Sequence, residues 1–168
     1  DLDDEVRAGL ALPLAEFLRT LHGLELDADL PLDPVRRADM PFRVERTRER
    51  MDRLEREGLW HAPPLVEELL VEAERIPPPE PVCLCHGDLH LRHLLVGDDG
   101  QPAAVIDWID LSRNDPAVDL TLFWSSLAGE SRRTFLDAYG EVTEQQLLRA
   151  RVLSLFLCGT LALFGRHE

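Results

Sequence analysis

The sequence predicts an α+β domain, mostly helical, with a small β-hairpin sheet near its middle. Three observations predict it. Most of the 168 residues fall into stretches whose apolar side chains recur at helical spacing. One stretch, residues 83–108, reads CLCHGDLHLRHLLVGDDGQPAAVIDW and consists of short apolar runs separated by turn residues. A Pro77-Pro78-Pro79 run divides the helices before it from that stretch. The predicted layout is a helical subdomain over residues 1–80, loops carried on a hairpin over 81–112, and further helices over 113–168.

Taken in order, residues 4–22 place Val6, Leu10, Leu14, Phe17, Leu18 and Leu21 at helical spacing, with Pro13 expected to kink or break the helix. Residues 24–32 read as a loop. Asp33-Pro34 carries a helix-start pattern, Asp as N-cap and Pro at the first helical position, and Pro41 interrupts that helix. A second helix follows over 42–57 and ends at Gly58. Its Arg- and Glu-rich face reads as solvated. Pro63-Pro64 opens a helix through Ile76, with Leu65, Leu69, Leu70 and Ala73 inward.

The run ending at Cys85 leads into His86-Gly87-Asp88. A run at 93–96, a turn signal at Asp98-Asp99-Gly100 and a run at 103–106 ending in Asp107 then mark a hairpin. The hairpin is expected to fold Asp88 and Asp107 back to one end of a small sheet. Paired carboxylates there suit proton abstraction and divalent-metal binding. Cys83 and Cys85 are expected on opposite faces of their strand. That fits neither a disulfide nor a CxxC metal pair, and three cysteines suit a reducing compartment.

Asp115-Pro116 repeats the start pattern and predicts a helix to Leu127. Residues 130–139 form another, ended by Gly140. Thr143-Glu144-Gln145-Gln146 is a capping box opening a long helix to Phe164. That helix is apolar on most sides, so it should be central or covered. The chain then stops at Arg166-His167-Glu168. Trp108 and Trp124 read as packing residues, His90 as a supporting one.

A net charge of −14 argues against nucleic acid or an anionic membrane as partner; it suits a cationic partner or bound Mg²⁺, but a merely acidic surface is the better-supported reading. All 18 basic residues are arginine, so chemistry that needs a lysine must take it from elsewhere. No uninterrupted apolar run reaches the ~18 residues of a membrane span. The first residues lack the basic start of a secretory signal. The expectation is a cytoplasmic protein.

Three motifs occur in sequence: HGDLHLRH from His86, VIDW from Val105 and NDPAVD from Asn114. On these, residues 82–124 resemble the aminoglycoside phosphotransferase family, which includes choline-kinase-like enzymes and has a protein-kinase-like fold. The resemblance implies that this chain is the C-terminal lobe of such a fold. It implies that Asp88 is the catalytic base, that Asp107 holds the Mg²⁺ bridging the nucleotide phosphates, and that His86 and Gly87 shape the loop. Asp115 would cap its helix, and Asp119 would tie the catalytic loop down. ATP or GTP and Mg²⁺ would be the cofactors. The acceptor would be a small molecule with a free hydroxyl, an aminoglycoside being one such. The acidic helical front section would form one wall of its cleft.

Two departures stand out. The family places Asn five residues after the catalytic Asp, and this chain has His93, an imidazole where magnesium prefers oxygen. His93 stays a candidate metal ligand beside Asp107. The chain also has no G-x-G loop, no lysine and no strand-rich region before residue 80. The resemblance therefore implies that the nucleotide-binding N-terminal lobe is missing and that these residues alone are inactive. Two other readings remain open. His86, Asp88, His90 and His93 form H-x-D-x-H-x-x-H, a possible zinc site of a metal-dependent hydrolase. His93 in place of Asn is also compatible with a degenerate kinase-like module that binds without turnover.

Overall fold

The computed structural model describes residues 4–25, 30–98 and 100–165, the side chains of residues 4–7 aside. The Val6 side chain, residues 26–29 of the expected loop, Asp99 of the expected turn and residues 166–168 lie outside the described residues.

Helix α1 (Asp4–His22) runs through Pro13 without a break. Proline removes one backbone donor and crowds the carbonyl four residues back, here that of the exposed Gly9. Leu10, Ala11, Leu14, Ala15 and Leu18 on either side are all buried, and this packing outweighs the local penalty.

The Asp33-Pro34 helix does not form. Asp33 instead accepts from the backbone N–H of Val35 (3.0 Å) and of Arg37 (2.6 Å), closing turns. Asp39 is the N-cap of α2 (Met40–Arg56), accepting from Phe42 N–H at 3.3 Å. Pro41 therefore sits in the first turn of α2 rather than interrupting a helix. Gly58 follows the helix end at φ +67°. Helix α3 (Pro64–Ala73) stops three residues before Ile76.

The strands depart most from expectation. β1 (Cys83–Cys85) is not part of the hairpin sheet. Strands β2 (Leu94–Val96) and β3 (Pro102–Val105) form the hairpin by themselves. β1 pairs antiparallel with β4 (Ser112–Asn114), with Cys83 opposite Asn114 and Cys85 opposite Ser112. The sequence Ser-Arg-Asn carries no strand signal; only its partner makes it a strand. Cys83 and Cys85 share one face, because residues two apart on a strand do. Their sulfurs lie 3.5 Å apart, and the buried thiols reach the carbonyls of Asn114 and Asp115. The bond from Cys83, with burial, holds the Cys85 thiol well above its ordinary pKa.

Asp115-Pro116 opens only a 3-10 turn (Pro116–Val118), and a separate short helix α4 (Thr121–Ser125) follows. Residues 114–123 are buried throughout, so tertiary contacts shape the segment more than its local pattern does. Helices α5 (Gly129–Tyr139) and α6 (Glu144–Phe164) complete the order.

α1 packs on α5, while α2, α3 and α4 all pack on α6. The helices before the proline run thus interleave with those after it. Phe135 is fully buried, stacked on Tyr139 with ring centres 5.6 Å apart. By length and composition α6 could cross a membrane. Here its first half is the central helix of the bundle, and a Cβ at Gly159 would lie 2.9 Å from the Arg50 side chain, so α2 and α6 cross closely there. Its last turns stay partly open, with Phe164 exposed. Thr143 and Gln146 cap α6 reciprocally, at 3.2 and 2.9 Å. Thr143→Ala is expected to lower the unfolding free energy by about 1 kcal/mol, read as a shifted urea midpoint with an unchanged slope.

Candidate active site

β1 runs directly into His86-Gly87-Asp88. Gly87 has φ +92°, and a Cβ there would run into the backbone carbonyl of Asp110, so only glycine fits. Asp119, fully buried, accepts from the backbone N–H of His86 (2.7 Å) and of Gly87 (3.0 Å). Its Oδ2 also meets His22 Nε2 at 3.2 Å, and His22 Nδ1 lies 2.7 Å from the Tyr139 hydroxyl. Burial pushes the Tyr139 phenol well above its ordinary pKa, so the hydroxyl stays a donor. The chain of bonds is then Tyr139 to His22, His22 to Asp119, and the loop amides to Asp119. Thr121 Oγ1 donates to the Leu89 carbonyl at 2.8 Å and holds the loop from its far side.

His86 is fully buried and links the two carboxylate-bearing loops. Its Nδ1 accepts from Asp88 N–H at 3.3 Å, which leaves Nε2–H to donate to the Ile106 carbonyl at 2.9 Å. Ile106 precedes Asp107, which follows β3 and opens a 3-10 turn (Trp108–Asp110) in the left-handed conformation (φ 65°, ψ 63°). This is a region non-glycine residues seldom occupy, Asp among the more tolerant. It turns the Asp107 side chain out, about half exposed.

His93 stands between the carboxylates. Nδ1–H donates to the Asp88 carbonyl oxygen at 2.7 Å, and Nε2 lies 3.5 Å from Asp107 Oδ2. Its Nδ1 is 4.0 Å from Asp88 Oδ2. Asp88 and Asp107 thus reach one imidazole from either side and line one cleft of about 880 Å³ together with His90, Arg92, Phe156, Leu157 and Phe164. Although β1 and β3 belong to different sheets, the carboxylates do face a common space. The His90 ring lies 3.9 Å from that of His93. Burial, with His93 beside it, holds His90 below its ordinary pKa, so it is neutral at pH 7.

Asp115 accepts from Ala117 N–H at 2.9 Å and meets the buried Arg149 at 3.3 Å. Burial raises its carboxyl pKa, against the pull of these partners. It braces the turn that delivers Asp119.

The donors available to a cation are Asp107 Oδ2 and His93 Nε2, with Asp88 beside them. Ligand atoms of Asp88, His90 and His93 also lie within 4.8 Å of one another. His86 takes no part, because both its ring nitrogens are already bonded. The four-residue zinc set is therefore reduced to three.

A second cavity, about 480 Å³, opens on the other side of Asp88. The front helical section lines one side of this cavity, and that side is basic where an acidic one was expected. Arg36, Arg37, Arg43 and Arg46 line it with Phe42, Phe156 and Leu157. His22, Tyr139 and Thr121 carried no signal in the sequence; each acts on a partner far along the chain, His22 on Asp119 across 97 residues. Arg43 carried none either, because its role depends on burial.

A family profile described as "Phosphotransferase enzyme family" matches residues 1–153. Among solved structures, the chain is similar to an aminoglycoside-3'-phosphotransferase of type VIII, at 28% identity and TM-score 0.61 over 92% of this chain and 62% of that one. It is also similar to a macrolide 2'-phosphotransferase type I, at 20% identity and TM-score 0.58 over 95% and 54%. A third is the GDP and kanamycin complex of APH(2")-IIia, at 22% identity and TM-score 0.60 over 99% and 58%. The latter two likenesses concern the fold. A 58-residue segment is 31% identical to the uncharacterized protein YcbJ of Bacillus subtilis (strain 168), covering 34% of this chain and 19% of that protein. The chain thus spans between about half and three-fifths of the solved proteins it matches.

Proposed function

This chain belongs to the phosphotransferase enzyme family, and from that premise we propose that it supplies the chemical half of a small-molecule kinase. Asp88 is the general base and Asp107 the magnesium ligand. The observation that carries the reading is the pair of carboxylates turned into one cleft on either side of His93, at 4.0 and 3.5 Å.

Asp88 sits at the junction of the two cavities, 41% exposed at its side chain, so it can reach an acceptor hydroxyl. It takes the hydroxyl proton as that oxygen bonds to the γ-phosphorus of ATP or GTP. The bond from the γ-phosphorus to its bridging oxygen breaks, and nucleoside diphosphate and a phosphate monoester leave. Positioning and charge neutralisation do most of the work in such transfers. The loop is suited to positioning: Asp119 holds two successive amides, and His86 ties the base to the carbonyl of Ile106, the residue before Asp107.

Asp107 would hold magnesium, with His93 Nε2 as its neighbour. One half-exposed carboxylate fits an ion that keeps most of its waters and takes phosphate oxygens as ligands. When bound, the metal supplies charge neutralisation for the nucleotide phosphates. His93 is a poorer magnesium ligand than an amide oxygen, and its Nδ1 is committed to Asp88. Its role is to fix the spacing of the carboxylates. The chain has no lysine and no glycine-rich loop, so the remaining phosphate contacts are provided elsewhere in the whole protein, and these 168 residues alone have no turnover. The cytoplasm, where nucleotide is plentiful, is the proposed location.

The test is nucleotide consumption by the whole protein under a magnesium titration. Asp107→Ala is expected to raise the magnesium concentration needed for half-maximal rate by at least about tenfold, the loss seen when even an outer partner of a metal ligand is removed. An unchanged magnesium dependence would remove Asp107 from the metal site. Stoichiometric zinc that survives dialysis, bound through Asp88, His90 and His93, would favour the hydrolase instead.

A further inference from the structure

The basic cavity beside Asp88 bears on the nature of the acceptor. Resting on the phosphotransferase reading, we infer that the acceptor carries an oxyanion, a carboxylate or a phosphate monoester, seated on Arg43 while its hydroxyl faces Asp88.

Among the described residues, Asp88 is the one carboxylate lining the 480 Å³ cavity, against four arginines. Three of these already have acidic partners. Arg36 pairs with Asp39, Arg37 with Asp33 at 2.7 Å and Asp110 at 3.0 Å, and Arg46 with Glu49 at 3.0 Å. Arg43 differs. It is only 7% exposed and has no carboxylate within ion-pair distance among the described residues. Its Nε and Nη2 donate to the carbonyls of Arg37 (3.3 Å) and Val35 (3.4 Å). These long bonds orient the guanidinium without neutralising it. The rings of Phe156 and Phe42 stand 4.6 and 5.9 Å from its centre, and among the described residues Nη1 meets no acceptor.

A buried charge normally has a counter-ion, because burying an isolated charge forfeits its hydration. Among the described residues, Arg43 has only backbone carbonyls and ring faces in direct contact to meet that cost. Burial, with Arg37 beside it, holds its pKa below the ordinary arginine value, and Asp33, already bonded to Arg37, offsets this only in part. An oxyanion on Nη1 supplies the missing charge, and guanidinium is the side chain best matched to carboxylate and phosphate. Val35, Leu153, Phe156 and Leu157 give the body of the ligand an apolar lining. A polycationic acceptor would instead meet Arg43, the one of the four without a carboxylate partner among the described residues, and like charges facing each other repel. The cavity is in the range for a small ligand.

The test uses the whole protein with magnesium and ATP or GTP, and follows nucleoside diphosphate release. The acceptors are omega-hydroxy acids from hydroxybutyrate to hydroxyoctanoate, their neutral amides, the amino alcohols of equal length, the corresponding phosphate monoesters, and kanamycin. At the best chain length, an anionic acceptor is expected to exceed its amide at least tenfold in kcat/KM and the amino alcohol by more. The acid and phosphate arms identify which oxyanion is preferred. Arg43→Gln is expected to raise KM for the anionic acceptor about tenfold, with kcat within threefold and the amide and nucleotide KM values unmoved; Arg43→Lys recovers part of the loss. An Arg43→Gln change that weakens amide and anion equally makes the residue structural and overturns the inference. So does Asp88-dependent turnover that favours kanamycin or the amino alcohols. No Asp88-dependent turnover with any acceptor overturns the parent reading instead.

Discussion

Asp88→Ala in the whole protein is expected to lower kcat by about 100- to 10,000-fold, the range that a positioned general base contributes. The fold should tolerate the change. The Asp88 side chain is 41% exposed and its ion-pair neighbours lie at 3.8 and 4.0 Å, too far for strong bonds. The loop is held through backbone groups, with the Asp88 amide on His86 and its carbonyl on His93, and alanine keeps both. The unfolding free energy should therefore change by no more than about 0.5 kcal/mol, the usual limit for exposed sites. Asp88→Asn separates charge from shape: it keeps the volume and removes the proposed base. Full activity in both variants would mean that another group takes the proton.

Asp119→Ala is expected to have the largest effect on stability, a loss of about 3–5 kcal/mol. One fully buried carboxylate satisfies the amides of His86 and Gly87 and the imidazole of His22. Each buried polar group left without a partner costs about 1–3 kcal/mol. Breaking one side of a buried charged network costs about 3–5 kcal/mol. Against a total of about 5–15 kcal/mol for a domain, that is a large share. Asp119→Asn keeps one acceptor and should lose about half as much. Urea unfolding followed by circular dichroism reads both. A loss under about 1 kcal/mol for Asp119→Ala would show that the loop does not depend on this clamp.

The helices were legible because their signals are local. Thr143 and Gln146 lie three residues apart and bond each other in the structure. Gly140 ends α5 as its position predicts. The Asp-Pro pattern misled at both of its occurrences, Asp33-Pro34 and Asp115-Pro116. It specifies a turn of chain with an Asp oxygen on a following amide, and in both places such a turn is what forms. Whether a helix continues beyond it depends on what packs there. Around Asp33 the continuation is replaced by ion pairs of Arg37 with Asp33 and Asp110, and around Asp115 by a segment buried throughout.

The sequence by itself determined the mostly helical class, the hairpin between Leu94 and Val105, and the family motifs that carry Asp88, Asp107 and Asp119. Each of these is written within a few residues, where turn, cap and alternation operate. Only the tertiary structure decided that β1 pairs with β4, that His22 and Tyr139 back the loop clamp, and that the cavity beside Asp88 is lined by arginine although the chain is strongly acidic. Net charge sums over the whole surface, whereas the potential in a cavity depends on the few side chains that burial turns inward. Which ones turn is settled by contacts between elements distant in the chain.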